Sequence, residues 1–159
     1  MKIRGRLKKI DQLELWERLK EHELWLADQS DEEDPETGHV IHPVRAVFEN
    51  LDMSDLDFAN RTCGDIIQRD LMLSKFIGCR LWNCNFEGVD FTQAVIERCD
   101  FRRANLRDAT FYMTKLFGNN FAKAMVYNAE INVRQITLCT LDQADGISTV
   151  WCGGLKNYK

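Results

Sequence analysis

Every fifth residue from Leu51 to Leu141 is apolar, with one exception in 19 consecutive steps. The column runs Leu51, Leu56, Arg61, Ile66, Leu71, Phe76, Leu81, Phe86, Phe91 and Ile96. It continues through Phe101, Leu106, Phe111, Leu116, Phe121, Val126, Ile131, Ile136 and Leu141. A helix repeats its faces every 3.6 residues and a strand every 2, so neither gives a period of five. The chain is 45% apolar. At that composition chance gives such a run, over all five registers, at odds on the order of 10⁻⁵, and a repeat architecture follows.

A second column runs beside the first. Two places before each central residue, 15 of 19 side chains are small, among them Ser54, Ala59, Cys79, Cys84, Ala94, Cys99, Ala104 and Ala109. The position between is often Asp or Asn, as in Ser54-Asp55-Leu56, Cys99-Asp100-Phe101 and Ala104-Asn105-Leu106. This pattern resembles the pentapeptide-repeat family, whose consensus is A(D/N)LXX, across residues 46–145. The resemblance implies an all-β solenoid, a right-handed quadrilateral β-helix with four pentapeptides to a coil. The physics agrees: small and large inward side chains alternate to fill a narrow shaft without voids. Stacked coils would pair as parallel strands do, at about 4.8 Å per coil.

The flanks read as ends for this shaft, because terminal coils expose apolar surface and unpaired edges. Residues 1–45 form the expected N-terminal cap. Within it, residues 11–27 have the pattern of an amphipathic helix opened by Asp11 and Glu14, with Trp16, Leu15, Leu19, His22, Trp25 and Leu26 on one face. His22-Glu23-Leu24-Trp25-Leu26 is also similar to the HxxWL lead of many bacterial pentapeptide arrays. Residues 28–38 are polar and acidic, an expected mobile loop. His39 and His42 lack a matched third ligand, so no metal site is expected, nor any cofactor. The tail, residues 146–159, carries Trp151 and Tyr158 and is expected to cover the last coil or to make a homodimer contact.

Net charge is −4, and residues 46–145 hold −3 of it (11 Lys and Arg, 14 Asp and Glu). That balance disfavours direct nucleic-acid binding. The N-terminus lacks the apolar run of a signal peptide, and no 18-residue apolar stretch exists. A cytoplasmic protein is expected, and its six cysteines are then reduced, with Cys79, Cys84, Cys99 and Cys139 as small inward residues.

Breaks in the pattern are expected to be structural. Glu49 and Arg69, in one inward column, would pair, and Arg61 and Arg134 would lie near the ends. Asn119 would bond stacked backbone groups.

Function should lie on the outward positions. The first face would display Asp52, Asp70, Asp90 and Glu130, with Met53, Met72, Leu73, Tyr112, Met113 and Val133, and no Lys or Arg. The second would add Phe58, Ile77 and Phe117. The third would carry Arg80, Trp82, Arg102, Arg103 and Lys123. Flat, convex walls do not gather a nucleophile, a base and an orienting group, so no catalytic residues are expected. The expected role is non-catalytic: a rigid rod presenting its acidic, apolar face to a protein partner. The alternative comes from the resemblance, since some members, including the quinolone-resistance proteins, imitate duplex DNA and bind DNA gyrase or topoisomerase.

Overall fold

The structure is a computed structural model that describes residues 6–27, 32–33, 40–41, 45–63, 66–130 and 135–146. The elements are β1 (Lys8–Lys9), α1 (Gln12–Ala27), β2 (Glu32–Glu33), β3 (Val40–Ile41), β4 (Val47–Glu49) and β5 (Leu51–Asp52). They continue as β6 (Arg61–Cys63), β7 (Ile66–Gln68), β8 (Lys75–Ile77), β9 (Val95–Glu97), β10 (Lys115–Phe117) and β11 (Gln135–Thr137). The chain winds into a right-handed quadrilateral β-helix with a capping helix at its N-terminal end.

Above residue 70 the coils repeat every 20 residues. Wall 1 is centred on Leu71, Phe91 and Phe111, and single parallel bridges link Asp70, Asp90, Thr110 and Glu130 along it. Wall 2 is a five-stranded parallel sheet in the order β11-β10-β9-β8-β4. Wall 3 is centred on Leu81, Phe101, Phe121 and Leu141, and wall 4 on Phe86, Leu106 and Val126, each joined by bridges one coil apart. All these central residues are buried, and the small residues Ala94, Ala104, Ala109 and Ala124 are fully enclosed beside them. Phenylalanines stack coil on coil, Phe91 on Phe111 and Phe101 on Phe121, with centroids 5.0 Å apart in both pairs, close to the expected rise.

Each corner has a repeated local cause. The residue two places after the centre takes a left-handed backbone, as at Asn83 (φ 52°), Arg103 (φ 61°) and Lys123 (φ 60°). The Asp or Asn before the centre accepts the N–H two residues on: Asp70 from Met72 (2.9 Å), Asp90 from Thr92 (2.8 Å), Asn120 from Ala122 (3.0 Å). A short carboxylate or amide at that spacing closes the turn, which explains the Asp/Asn column. Inside, Asn119 is buried and fully used, its Oδ1 accepting the Cys99 N–H (2.9 Å) and its Nδ2 donating to the Ile96 carbonyl (2.7 Å). This is the backbone pairing expected of it.

The lowest coil departs from the period. Phe48 pairs with Phe76, Asp52 with Arg80 and Asp57 with Asn85, steps of 28 rather than 20. The extra length holds the antiparallel hairpin β6–β7, in which Arg61 pairs with Gln68. The register therefore shifts: Phe48, Met53 and Phe58 are the central residues here, all fully enclosed, and Leu51 and Leu56 occupy the sites beside them. Two sequence expectations fail with this shift. Arg61 lies in the hairpin instead of at a centre. Glu49 is exposed and meets Lys75 at 3.8 Å, while Arg69 Nε donates to the Ala59 carbonyl at 2.9 Å, so the two do not pair.

The N-terminal segment closes this end. β1 runs parallel to β5, and the Ile10 N–H donates to the Asp52 carbonyl at 3.1 Å. Asp11 caps α1 by accepting the Glu14 N–H at 2.9 Å. Gln12 turns its amide onto Asp57, donating to its carbonyl (2.7 Å) and accepting its N–H (2.8 Å), which supplies the bonds a further coil would make. Leu15, Leu19 and His22 are buried under the column, but Trp16 at the stripe's edge is 39% exposed. His22 accepts the Ala46 N–H on Nδ1 (3.0 Å) and stacks on Trp25. Burial lowers its pKa to about 4, against a raising effect of the Met72 backbone, so the ring is neutral. In the acidic segment Glu32–Glu33 pairs antiparallel with Val40–Ile41. His39, His42, Arg134 and the tail 147–159 lie outside the described residues.

Candidate interaction walls

Wall 1 keeps most of the acidic, apolar surface that the sequence suggests. Asp70, Asp90 and Glu130 stand in one ladder with Thr110 between the last two. Across residues 70–73, 90–93, 110–113 and 130 there is no Lys or Arg. Tyr112 is 48% exposed, and Met72, Leu73 and Met113 are half-buried on the same wall. The Asp70 carboxyl is held above its ordinary pKa by burial, with the neighbouring Asp90 charge adding to it and the Met72 N–H opposing. An acid beside an acid, with no ion pair to either among the described residues, makes this stretch of the wall locally acidic.

Two residues expected on this wall are elsewhere because of the 28-residue step. Met53 is a core residue with 0% exposure. Asp52 lies on wall 3, where its Oδ2 accepts from the Arg80 guanidinium at 2.8 Å and its Oδ1 from Ser54 Oγ at 2.6 Å. Those partners hold its carboxyl below the usual range against the opposing effect of burial. Phe58, expected outward on the second wall, is likewise core, stacked on Phe86 at 4.3 Å. Val133 lies outside the described residues.

Wall 3 brings together Arg80, Trp82, Arg102, Arg103 and Lys123 as expected, but not as a uniform basic strip. Arg80 and Arg102 both lie over the Trp82 ring, at 4.7 and 4.5 Å from its centroid. Each is also ion-paired, Arg80 to Asp52 and Arg102 to Asp100 through two bonds of 2.9 Å. Arg103 and Lys123 form no ion pair among the described residues. They border a notch of about 330 Å³ lined by Trp82, Asn83, Arg102, Arg103, Ala122 and Lys123. Asn83 and Ala122 were not singled out from sequence. The available signal was Ala122 itself, a small residue in the outward column of Trp82 and Arg102.

No metal centre is formed among the described residues. No three His, Cys, Asp or Glu side chains cluster there. The Cys84 thiol donates to the Met53 carbonyl at 2.9 Å, and burial pushes its pKa up to about 12, so it is packing and not a nucleophile. No helix among the described residues is long and apolar enough to cross a membrane.

The profile of the family described as "Pentapeptide repeats" matches eight copies, over residues 70–108 and 84–121. No curated protein matches the chain. Among solved structures it is similar to the pentapeptide repeat protein Rfr23 from the cyanobacterium Cyanothece 51142, with 17% identity over 70% of this chain and 66% of that one (TM-score 0.47). It is also similar to HetL, a pentapeptide repeat protein involved in heterocyst differentiation regulation in Nostoc sp. strain PCC 7120 (17% identity, 64% of this chain and 47% of that one, TM-score 0.35). QnrB1, a plasmid-mediated fluoroquinolone resistance protein, matches at 17% identity over 69% of this chain and 71% of that one (TM-score 0.24). The chain thus spans less than two thirds of the first two structures.

Proposed function

We propose that this pentapeptide-repeat protein is a non-catalytic binding column whose wall 1 docks a protein partner. One observation carries the reading: Asp70, Asp90 and Glu130 share a ladder on the wall that also carries Met72, Leu73, Tyr112 and Met113, and the described residues 70–73, 90–93, 110–113 and 130 include no Lys or Arg. The turn chemistry accounts for Asp70 and Asp90 taken singly, because each closes its own corner. It does not account for an exposed Tyr112 or for Leu and Met at outward positions. Large apolar and aromatic groups supply binding energy at interfaces, while unneutralised charge steers the encounter. A rigid scaffold limits the ordering cost of association. The buried Cys84 thiol, with its pKa pushed up to about 12, supports a role without thiol catalysis.

The test is capture from a native cell extract with three forms of the protein. Wild type and an R103Q/K123Q variant of the opposite wall should retain the same partner, and L73E/M113E should lose it with circular dichroism and Tm unchanged. Retention of the partner by folded L73E/M113E rejects wall 1 as the docking surface.

A narrower form has the acids stand in for DNA phosphates at DNA gyrase or topoisomerase. The acidic ladder favours it. Against it, the acids recur at about 4.8 Å where phosphates recur at about 3.4 Å per strand, and Thr110 interrupts the ladder. Inhibition of gyrase supercoiling by the purified protein, abolished in D70K/D90K, would reverse that preference.

A further inference from the structure

We propose that the notch on wall 3 is a binding site for a small phosphate-bearing molecule, held by Arg103 and Lys123. The argument begins with cancellation. Of the wall's cations, Arg80 is neutralised by Asp52 and Arg102 by Asp100. What remains is Arg103 and Lys123, which occupy the same corner one coil apart, about 4.8 Å along the column. Both have left-handed backbones and exposed side chains, and neither has an anionic partner among the described residues. Two like charges on adjacent coils repel, and an anion between them offsets that repulsion.

The shape comes from Ala122. The outward positions after each wall 3 centre read Trp82, Arg102, Ala122 and Asp142 in ascending coils. Trp82 and Arg102 fill their coils, whereas Ala122 leaves a gap above Arg102, walled by Arg103 and Lys123. Its volume of about 330 Å³ lies at the small end of ligand sites, enough for a small molecule and too little for a run of nucleotides.

The remaining lining adds directional groups. Trp82 Nε1–H is buried with no acceptor among the described residues, an unsatisfied donor in a residue that borders the notch. The Asn83 amide nitrogen is committed to Asp55 Oδ1 at 3.0 Å, which leaves its oxygen for a ligand hydroxyl. Guanidinium and ammonium groups together favour phosphate: Arg by paired N–H bonds, Lys as a point charge. Two guanidinium groups, of Arg80 and Arg102, already lie over the indole, so a base has to compete with them for it and the phosphate is the recognised part. Asp142, on the coil above, is an exposed opposing charge on this wall. It limits the site to a compact anion and disfavours a polyanion running up the column.

Titration calorimetry with pyrophosphate, inorganic phosphate and a 20-nucleotide single-stranded DNA tests this directly. Pyrophosphate should bind to the wild type, about tenfold more weakly to R103Q and to K123Q, and not measurably to the double variant. A122L, which fills the notch and keeps every charge, should also lose binding, whereas D70K/D90K on wall 1 should keep it, so this site and the docking wall fail independently. Equal binding by wild type and A122L, no pyrophosphate binding at millimolar concentration, or tighter binding of DNA than of pyrophosphate would each overturn the proposal.

Discussion

The lowest coil and the coils above residue 70 are built from one pentapeptide grammar, yet they read it in different registers. In the upper coils Asp90-Phe91 and Asp100-Phe101 place the acid on the corner and the ring inside. In the lowest coil two pairings compete, Asp55-Leu56 in the upper coils' register and Asp52-Met53 and Asp57-Phe58 in the shifted one. The shifted register wins because it buries Phe48, Met53 and Phe58, and the hairpin β6–β7 absorbs the extra residues. Periodicity thus settles a shaft, and the largest side chains settle where each coil begins.

Substitutions that distinguish the registers should have the largest effects. Met53→Glu places an unpaired charge in the core and should cost about 3–5 kcal/mol, seen as a collapse of the denaturation midpoint. Leu73→Glu, on the wall where Met53 was expected, should stay within about 0.5 kcal/mol. Similar costs for the two would mean that Met53 faces outward after all. In the same range, Phe58→Ala should cost about 3–5 kcal/mol, as Phe101→Ala should in the upper coils.

The pH response sharpens the comparison next. His22, under the lowest coil, has a folded pKa of about 4 against 6.5. Between these values the unfolded chain binds the extra proton, so the stabilisation is complete above pH 6.5 and is lost as pH falls towards 4. From pH 7 to pH 5 the loss should be about 2 kcal/mol, and His22→Gln should remove it. Asp70, at the base of the regular coils, has the opposite sign. Its raised pKa means the fold holds a proton the unfolded chain releases, so its contribution falls as pH rises above 3.8. Paired urea titrations of wild type, H22Q and D70N check both directions.

Asn119→Ala should cost about 1–3 kcal/mol, because the Cys99 N–H and Ile96 carbonyl lose their partners inside the shaft. Among the structural substitutions, the corner glycines come last. A methyl on Gly78 would lie 2.6 Å from Asn50 Oδ1, whereas one on Gly118 would meet Arg98 Cγ at an ordinary 3.5 Å. Both have left-handed backbones, so each Gly→Ala change carries about 1–2 kcal/mol of backbone cost. Gly78→Ala, at the joint between the two registers, should exceed Gly118→Ala in melting experiments.

Much of the fold was legible. The five-residue column named every centre from Leu71 to Val126 correctly, and the inward role of Asn119 followed from its place in the small column. The register of the first coil was not legible from periodicity, because Leu51 and Leu56 are apolar enough to pass as centres. Phe48 and Phe58 were the available warning, since a regular register left both rings outside. Of the candidate walls, the upper coils gave Asp70, Asp90, Tyr112 and Met113 their places, and the same misread register misplaced Asp52 and Met53. On wall 3 the neutralisation by Asp100 was legible in the sequence, but that by Asp52 was not, because Asp52 meets Arg80 only across a step of 28.

That step is the claim on which every wall assignment rests, and proton–proton proximity in solution measures it directly. Nuclear Overhauser contacts should join the Phe48 ring to Phe76, Met53 to Leu81 and Phe58 to Phe86. Contacts joining Leu51 to Leu71 and Leu56 to Phe76 instead would restore a uniform step of 20 and contradict the account.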